Sequence, residues 1–351
     1  MRMLGQGSRV LSVVLLGAAG SFIAACSSTP TDMTVTAATV DAPIVLDPPA
    51  DGFQVTFGPF AVPSGDVQLC RTLKLDNEQP VAVNRFDLKM LPGSHHFILF
   101  RGQQKPDGSY IEYPDQVFDC KGTINFDEWD FVFDVNQAGG TDFSFDNGEA
   151  VIFPPHAQLL VQAHFLNASA VKAPQGGYDV LNMYKTDLSK VVHPIHGQFT
   201  VDTHVAIPPR STDWMTSRQC SFSRSVHVVS MTGHFHNQGT MFAVDYMDTN
   251  ATPIEEVYCS GEKCPDANGQ AYNWDHPLFK YFNPPLIVNG TIDGASQGLH
   301  FTCMYDNPSD RTIYFGGLAE TQEHCNLFFQ YYYADESKPG ELKCAEGSGG
   351  W

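Results

Sequence analysis

Leu159-Leu160-Val161-Gln162-Ala163-His164-Phe165 reads as a β-strand running through a protein core. Its apolar residues form one short run rather than a helical repeat, and a single polar ring, His164, interrupts it. Working outward, His96-Phe97-Ile98-Leu99-Phe100, Val226 to Met231 and Phe328 to Tyr333 have the same character. Short stretches rich in Val, Phe, Tyr and Ile alternate with Gly, Pro, Asn and Asp turns, and no long stretch keeps a helical period. The expected fold class is all-β, built from antiparallel sandwiches. A division near 190–198 gives domains over 53–192 and 193–351, each of ordinary size.

Ahead of these strands, Arg2 and Arg9 form a short basic region before an apolar run, Val10 to Ala19, that is too short to span a bilayer and reads as the hydrophobic part of a signal peptide over 1–25. It ends in Ile23-Ala24-Ala25-Cys26, which resembles a bacterial lipobox, with Cys26 as the lipidated residue. Ser27 resembles the outer-membrane retention pattern, so the expected location is the bacterial cell envelope, extracytoplasmic and anchored only through that lipid. Residues 26–52, rich in Ser, Thr, Pro and Ala, suit a disordered tether. The formal charge of −19 argues against nucleic acid as a partner. Eight of the nine cysteines remain after Cys26: Cys70, Cys120, Cys220, Cys259, Cys264, Cys303, Cys325 and Cys344. Outside the cytoplasm an even number reads as disulfides, and no paired C-x-x-C spacing marks thiolate ligands.

Three histidine patterns stand out among the 13. His95-His96 enters an apolar strand after Pro92-Gly93; on a regular strand the two rings point to opposite faces, so joint ligation needs a bulge, a strand end or different ring nitrogens. His164 is the second. In Gly233-His234-Phe235-His236 the two imidazoles are at i and i+2, which share a face of a strand and can reach one ion. Neutral imidazoles without thiolates suit copper or zinc, and spacing does not separate the two. His156, His193, His196, His204, His276 and His300 read as ordinary surface or hydrogen-bonded residues.

Taken in order, the His-His strand, Gln162-x-His164, His234-x-His236 and Cys325-Asn326-Leu327 followed by an aromatic strand resemble the copper type II, ascorbate-dependent monooxygenases, across about Phe53 to Cys344. The resemblance implies two jelly-roll-like sandwich domains in tandem, with two coppers facing one another across a solvent-filled cleft. His95, His96 and His164 would hold the first ion. His234, His236 and a residue beside Cys-Asn-Leu would hold the second, where dioxygen and a small-molecule substrate meet. Ascorbate or another one-electron donor would reduce both. It also implies the disulfides Cys70–Cys120, Cys303–Cys325 and Cys220–Cys344, leaving Cys259–Cys264 as a local staple. Gln162 and His227 match family positions; for Gln162 the resemblance implies a place beside the ligands, and for His227 either that or a packed core position.

The chain departs from the family pattern where it matters. The usual thioether ligand before Cys-Asn-Leu is His324, a harder donor that favours Cu(II) and implies a lower potential. If Cys303 and Cys325 are cross-strand partners, Met304 could reach the same ion and restore a sulfur; otherwise it packs the sheet. Thr232 stands where peptide-hydroxylating relatives carry an arginine, and Phe328 replaces a tyrosine, so with Asn326 these residues would line a more apolar substrate pocket. The expected activity is copper-dependent hydroxylation of a C–H bond; the alternatives are a non-catalytic copper-binding or electron-transfer lipoprotein and an adhesion or scaffold sandwich. No Gly-x-Ser-x-Gly or His-Glu-x-x-His motif supports a hydrolase.

Overall fold

A computed structural model describes residues 44–346 except 63–64, 106, 121–127, 137–138, 168–174, 249, 251, 267–268, 270 and 294–296. The expected signal peptide, Cys26 and the tether up to residue 43 lie outside the described residues.

In chain order the strands are β1 (Gly52–Val62), β2 (Gly65–Lys74), β3 (Val81–Met90), β4 (Ser94–Gly102), β5 (Gln116–Asp119), β6 (Trp129–Val135), β7 (Gly140–Ser144), β8 (Glu149–Phe153), β9 (Gln158–Asn167) and β10 (Gln175–Thr186). They continue as β11 (His193–Val201), β12 (Ala206–Ile207), β13 (Ser211–Phe222), β14 (Val226–His234), β15 (Gly239–Met247), β16 (Pro253–Ser260), β17 (Phe279–Val288), β18 (Gly298–Asn307), β19 (Ile313–Tyr314), β20 (Asn326–Tyr333) and β21 (Leu342–Glu346). Two antiparallel sandwiches follow one another. Sheet 1 (β1-β10-β3-β8, with β7 on β3) and sheet 2 (β5-β2-β9-β4-β6) form the first, and sheet 3 (β11-β20-β14-β17) and sheet 4 (β16-β15-β18-β13-β21) form the second. The short β12–β19 pair stands apart. β8 and β11 pair in parallel, Glu149 with His193 through Val151 with Ile195, so sheets 1 and 3 join edge to edge.

Strand alternation decides what faces what. On β4, Phe97 and Leu99 enter the first core while Ile98 and Phe100 point the other way; on β9, Val161, Ala163 and Phe165 face inward and Leu160 outward. On β20, Leu327 and Phe329 fill the second core while Phe328 joins Ile98, Phe100, Phe131 and Leu160 in a separate buried cluster. The outward face of sheet 2 therefore packs against sheet 3. Gln330 Nε2 donates to the Val132 carbonyl across this seam at 2.6 Å. A Cβ added at Gly197 would lie 2.0 Å from the Phe131 carbonyl oxygen, so β11 and β6 touch backbone to backbone.

Two expectations change. The tether stops short of residue 52, because Leu46 and Asp47 carbonyls accept from Gln54 Nε2 (2.8 Å) and Asn182 Nδ2 (2.7 Å), laying this stretch along β1 and β10. Met304 is not beside His324. Cys303 and Cys325 are bonded, but they join sheet 4 to the residue before β20 of sheet 3, across the sandwich rather than along a strand pair. Alternation then turns Met304 away from the core, opposite Met215 and Met241, where its Sδ lies 3.5 Å from Lys263 Nζ.

The other disulfides are Cys70–Cys120, Cys220–Cys344 and Cys259–Cys264. Removing Cys303–Cys325 with the C303A/C325A pair releases a loop of sequence separation 22. We expect a stability loss of about 3 kcal/mol, measured by urea unfolding; an unchanged midpoint would contradict the assigned role of this bridge.

Candidate metal centre

His164 shares the outward face of β9 with Leu160 and Gln162 and lies directly opposite His96 on β4. The register of that pair slips between Ser94 and His96, which makes His95 the extra residue of a bulge. The irregularity lets two adjacent imidazoles serve one site. Gly93, at φ 102°, supplies the backbone turn ahead of it. Ser94 Oγ donates to the buried Asp179 carboxylate at 2.7 Å, tying the start of β4 to β10. Burial pushes the Asp179 carboxyl up to about 7, the Ser94 hydrogen bond opposing it.

The second group is assembled at the same end of sheet 3. His234 closes β14 and pairs with Asn326 on β20. His236 sits in the turn beyond, and His324 lies two residues before Asn326. One carboxylate, Glu323, holds both segments: it accepts from the backbone N–H of His236 (2.7 Å), Gln238 (2.7 Å) and His324 (3.3 Å). Burial raises its carboxyl to about 8, against the pull of those three N–H groups. His236 Nδ1 donates to the Gln322 carbonyl at 3.0 Å, which fixes its tautomer with Nε2 as the ligating atom.

Within each triad, His95–His96–His164 and His234–His236–His324, the potential ligand atoms lie within 4.8 Å of one another. The two triads also meet. Ring centroids are 5.1 Å apart for His96–His234, 5.7 Å for His95–His234 and 6.1 Å for His164–His236. The cleft implied by the family resemblance is absent between these rings, because both triads project from faces that are packed together at the seam. Trp274, from the second sandwich, covers His95 at 4.9 Å.

Five of the six rings are almost fully buried and His324 is half-buried. Burial, reinforced by neighbouring imidazoles, holds His95, His96, His234 and His324 well below the usual histidine range. These rings are neutral, with lone pairs available. His95 Nε2, His96 Nδ1 and Nε2, His234 Nδ1 and Nε2, and His324 Nδ1 are buried without a hydrogen-bond partner. Leaving such an atom unsatisfied costs on the order of 1–3 kcal/mol. A metal ion at each triad would satisfy the ligating atoms, and an all-imidazole set with every nearby thiol in a disulfide suits copper or zinc.

A cavity of about 420 Å³ adjoins the triads, lined by His96, His234 and His324 at one end and by Ile98, Phe100, Phe199, Val201, Phe315 and Phe328 over its apolar wall. Gln68, Gln162, Thr203 and Asn326 supply its polar atoms, and among the described residues no Asp, Glu, Lys or Arg lines it. Asn326 Oδ1 is buried and unpartnered there. Of the residues expected around a substrate, Asn326 and Phe328 line this cavity and Thr232 does not. Its Oγ1 donates to the Leu278 carbonyl at 3.1 Å, and it borders a smaller cavity with Asp134 and Asn136. His227 is packed rather than beside the ligands: it stacks on Tyr332 at 4.8 Å, with His193 on the same ring at 4.1 Å, away from the triads. Glu323, Trp274 and Phe199 were not evident in the sequence; adjacency to His324 was the one available signal, for Glu323.

No protein-family model matches this chain, and no curated protein matches it. Among solved structures it is similar to "Recombinant peptide: N-glycanase F (PNGase F)", with a TM-score of 0.36 and 8% identity over 83% of this chain and 99% of that one.

Glu323→Ala removes the shared acceptor for His236 and His324. It should weaken binding of one of two ions by about 10–100-fold and leave the other unchanged, as read by metal analysis after dialysis at graded chelator strength. Equal retention of both ions would contradict the positioning role. Binding at the triads should also raise Tm, and chelation should reverse the rise.

Proposed function

We propose that this protein is a copper-dependent monooxygenase that hydroxylates a C–H bond of a small, neutral organic molecule. The supporting observation is that two buried all-histidine triads stand at the end of an apolar cavity of about 420 Å³, within the usual range for small-molecule sites. Copper at these triads would supply one-electron chemistry and the activation of dioxygen. In the overall reaction one oxygen atom enters the C–H bond and the other leaves as water, with two electrons from a donor such as ascorbate and two protons from solvent.

The chain's own residues then have definite tasks. Each triad offers three imidazole rings as donors and leaves positions for exogenous ligands. Phe199 and Phe328, stacked at 4.6 Å, shape the wall and exclude water from the reacting carbon. Asn326 Oδ1 accepts a hydrogen bond from a hydroxyl or amine of the substrate, and Gln68 and Gln162 add polar contacts further along the cavity. With no guanidinium or ammonium among the described lining residues, a substrate carboxylate finds no counter-charge among them. The four disulfides support an extracytoplasmic site of action, with Cys26 as the anchor.

A second reading, a copper-binding or electron-transfer lipoprotein without turnover, is favoured by one feature: His324 replaces the soft ligand expected of an oxygen-activating site. Oxygen uptake separates the two. The copper-loaded protein with ascorbate should consume oxygen faster when a neutral aromatic substrate is present, and should yield one hydroxylated product per oxygen. Phe328→Arg should abolish that stimulation while two ions remain bound. Substrate-independent uptake with no product would support the non-catalytic reading.

A further inference from the structure

Ligating histidines nearly always anchor their second ring nitrogen on a carbonyl, carboxylate or water. His236 follows that rule through Gln322. His234, like His96, does not, since neither Nδ1 nor Nε2 has a partner although the ring is 2% exposed. Its cross-strand neighbour Asn326 offers an acceptor oxygen, and that atom is also left unpartnered. The ring is, moreover, the most central of the six. Its centroid lies 5.1 Å from His96 and 5.7 Å from His95 on one side, and 5.3 Å from His236 and 5.6 Å from His324 on the other. It stands at 90° to His96 and at 88° to His236.

We infer that His234 is shared between the two triads, with one ring nitrogen on each of two metal ions, so that an imidazolate bridge makes the six histidines a single dinuclear centre. The inference rests on the copper reading of the site and adds to it a covalent link between the ions. With metal–nitrogen bonds of about 2.0 Å, ions in the two triads are separated by one imidazole ring. Forming the bridge breaks the remaining N–H bond of His234 and makes a second nitrogen–copper bond; the proton leaves to solvent. No electron is transferred in that step. The negative imidazolate offsets part of the charge that two cupric ions bring into a buried site where, among the described residues, neither triad includes an anionic ligand. Electrons delivered to either ion then reach the other through the ring rather than across solvent.

The test uses the full chain loaded with Cu(II) and read by electron paramagnetic resonance at liquid-helium temperature, with the bound copper counted separately. Two bound ions with most of the cupric signal lost to spin coupling is the expected result. Two bound ions with a full, uncoupled signal would overturn the bridge and leave the copper reading intact, whereas failure to bind two ions would remove both. His234→Gly supplies an independent arm through added ligand. Imidazole, which can bridge, should restore the second ion and the coupling; 1-methylimidazole, which has one ligating nitrogen, should restore the ion without coupling. Identical spectra with the two ligands would overturn the proposal, and the wild-type spin count decides it even if the glycine variant does not fold.

Discussion

The seam where the outward face of sheet 2 lies against sheet 3 is the contact on which the site depends. Phe328 sits 5.2 Å from Phe131 and 4.6 Å from Phe199 there, and the apolar cluster extends to Ile98, Phe100 and Leu160. The period of two that sends Ile98 and Phe100 to this face sends His96 to it as well, and likewise His164 with Leu160. On sheet 3 the same rule places Asn326 beside Phe328, with His234 opposite Asn326. Hydrophobic packing between sandwiches and convergence of imidazoles are thus one event. Loosening the seam would separate the triads without touching a ligand.

This arrangement places a cost inside the molecule. Six imidazoles are packed together, five of them almost fully buried, and ring nitrogens of His95, His96, His234 and His324 lack partners. The fold tolerates this through constraint elsewhere. The His95 bulge is held by Ser94 and Asp179, and the second triad by Glu323 and by the Cys303–Cys325 bridge next to His324. Such strain near a cavity is characteristic of functional sites, and ion binding would relieve it.

Much of this was legible in the chain. Leu159 to Phe165 announced a core strand carrying one polar ring, and the vicinal His95-His96 required a bulge, a strand end or different ring nitrogens to serve one site; the β4–β9 register contains the bulge. What escaped the sequence was tertiary. The meeting of the two triads depends on how outward faces stack, which spacing within strands does not encode. Of the two places the sequence left open for Met304, it takes the sheet-packing one: Cys303 and Cys325 span the sandwich rather than lying along a strand pair, and alternation carries Met304 to its far surface. Thr232 shares its register with Phe328 but leans toward β17, where Leu278 takes its hydroxyl. Trp274 lies outside every strand, so no periodicity pointed to it.

The central claim is that these two triads are copper sites. Anomalous diffraction from crystals of the copper-loaded protein, collected on both sides of the copper edge, addresses it directly. The account requires two copper peaks, one within the His95–His96–His164 group and one within the His234–His236–His324 group, on either side of His234. Copper found only at surface histidines, or peaks that appear instead at the zinc edge, would contradict it.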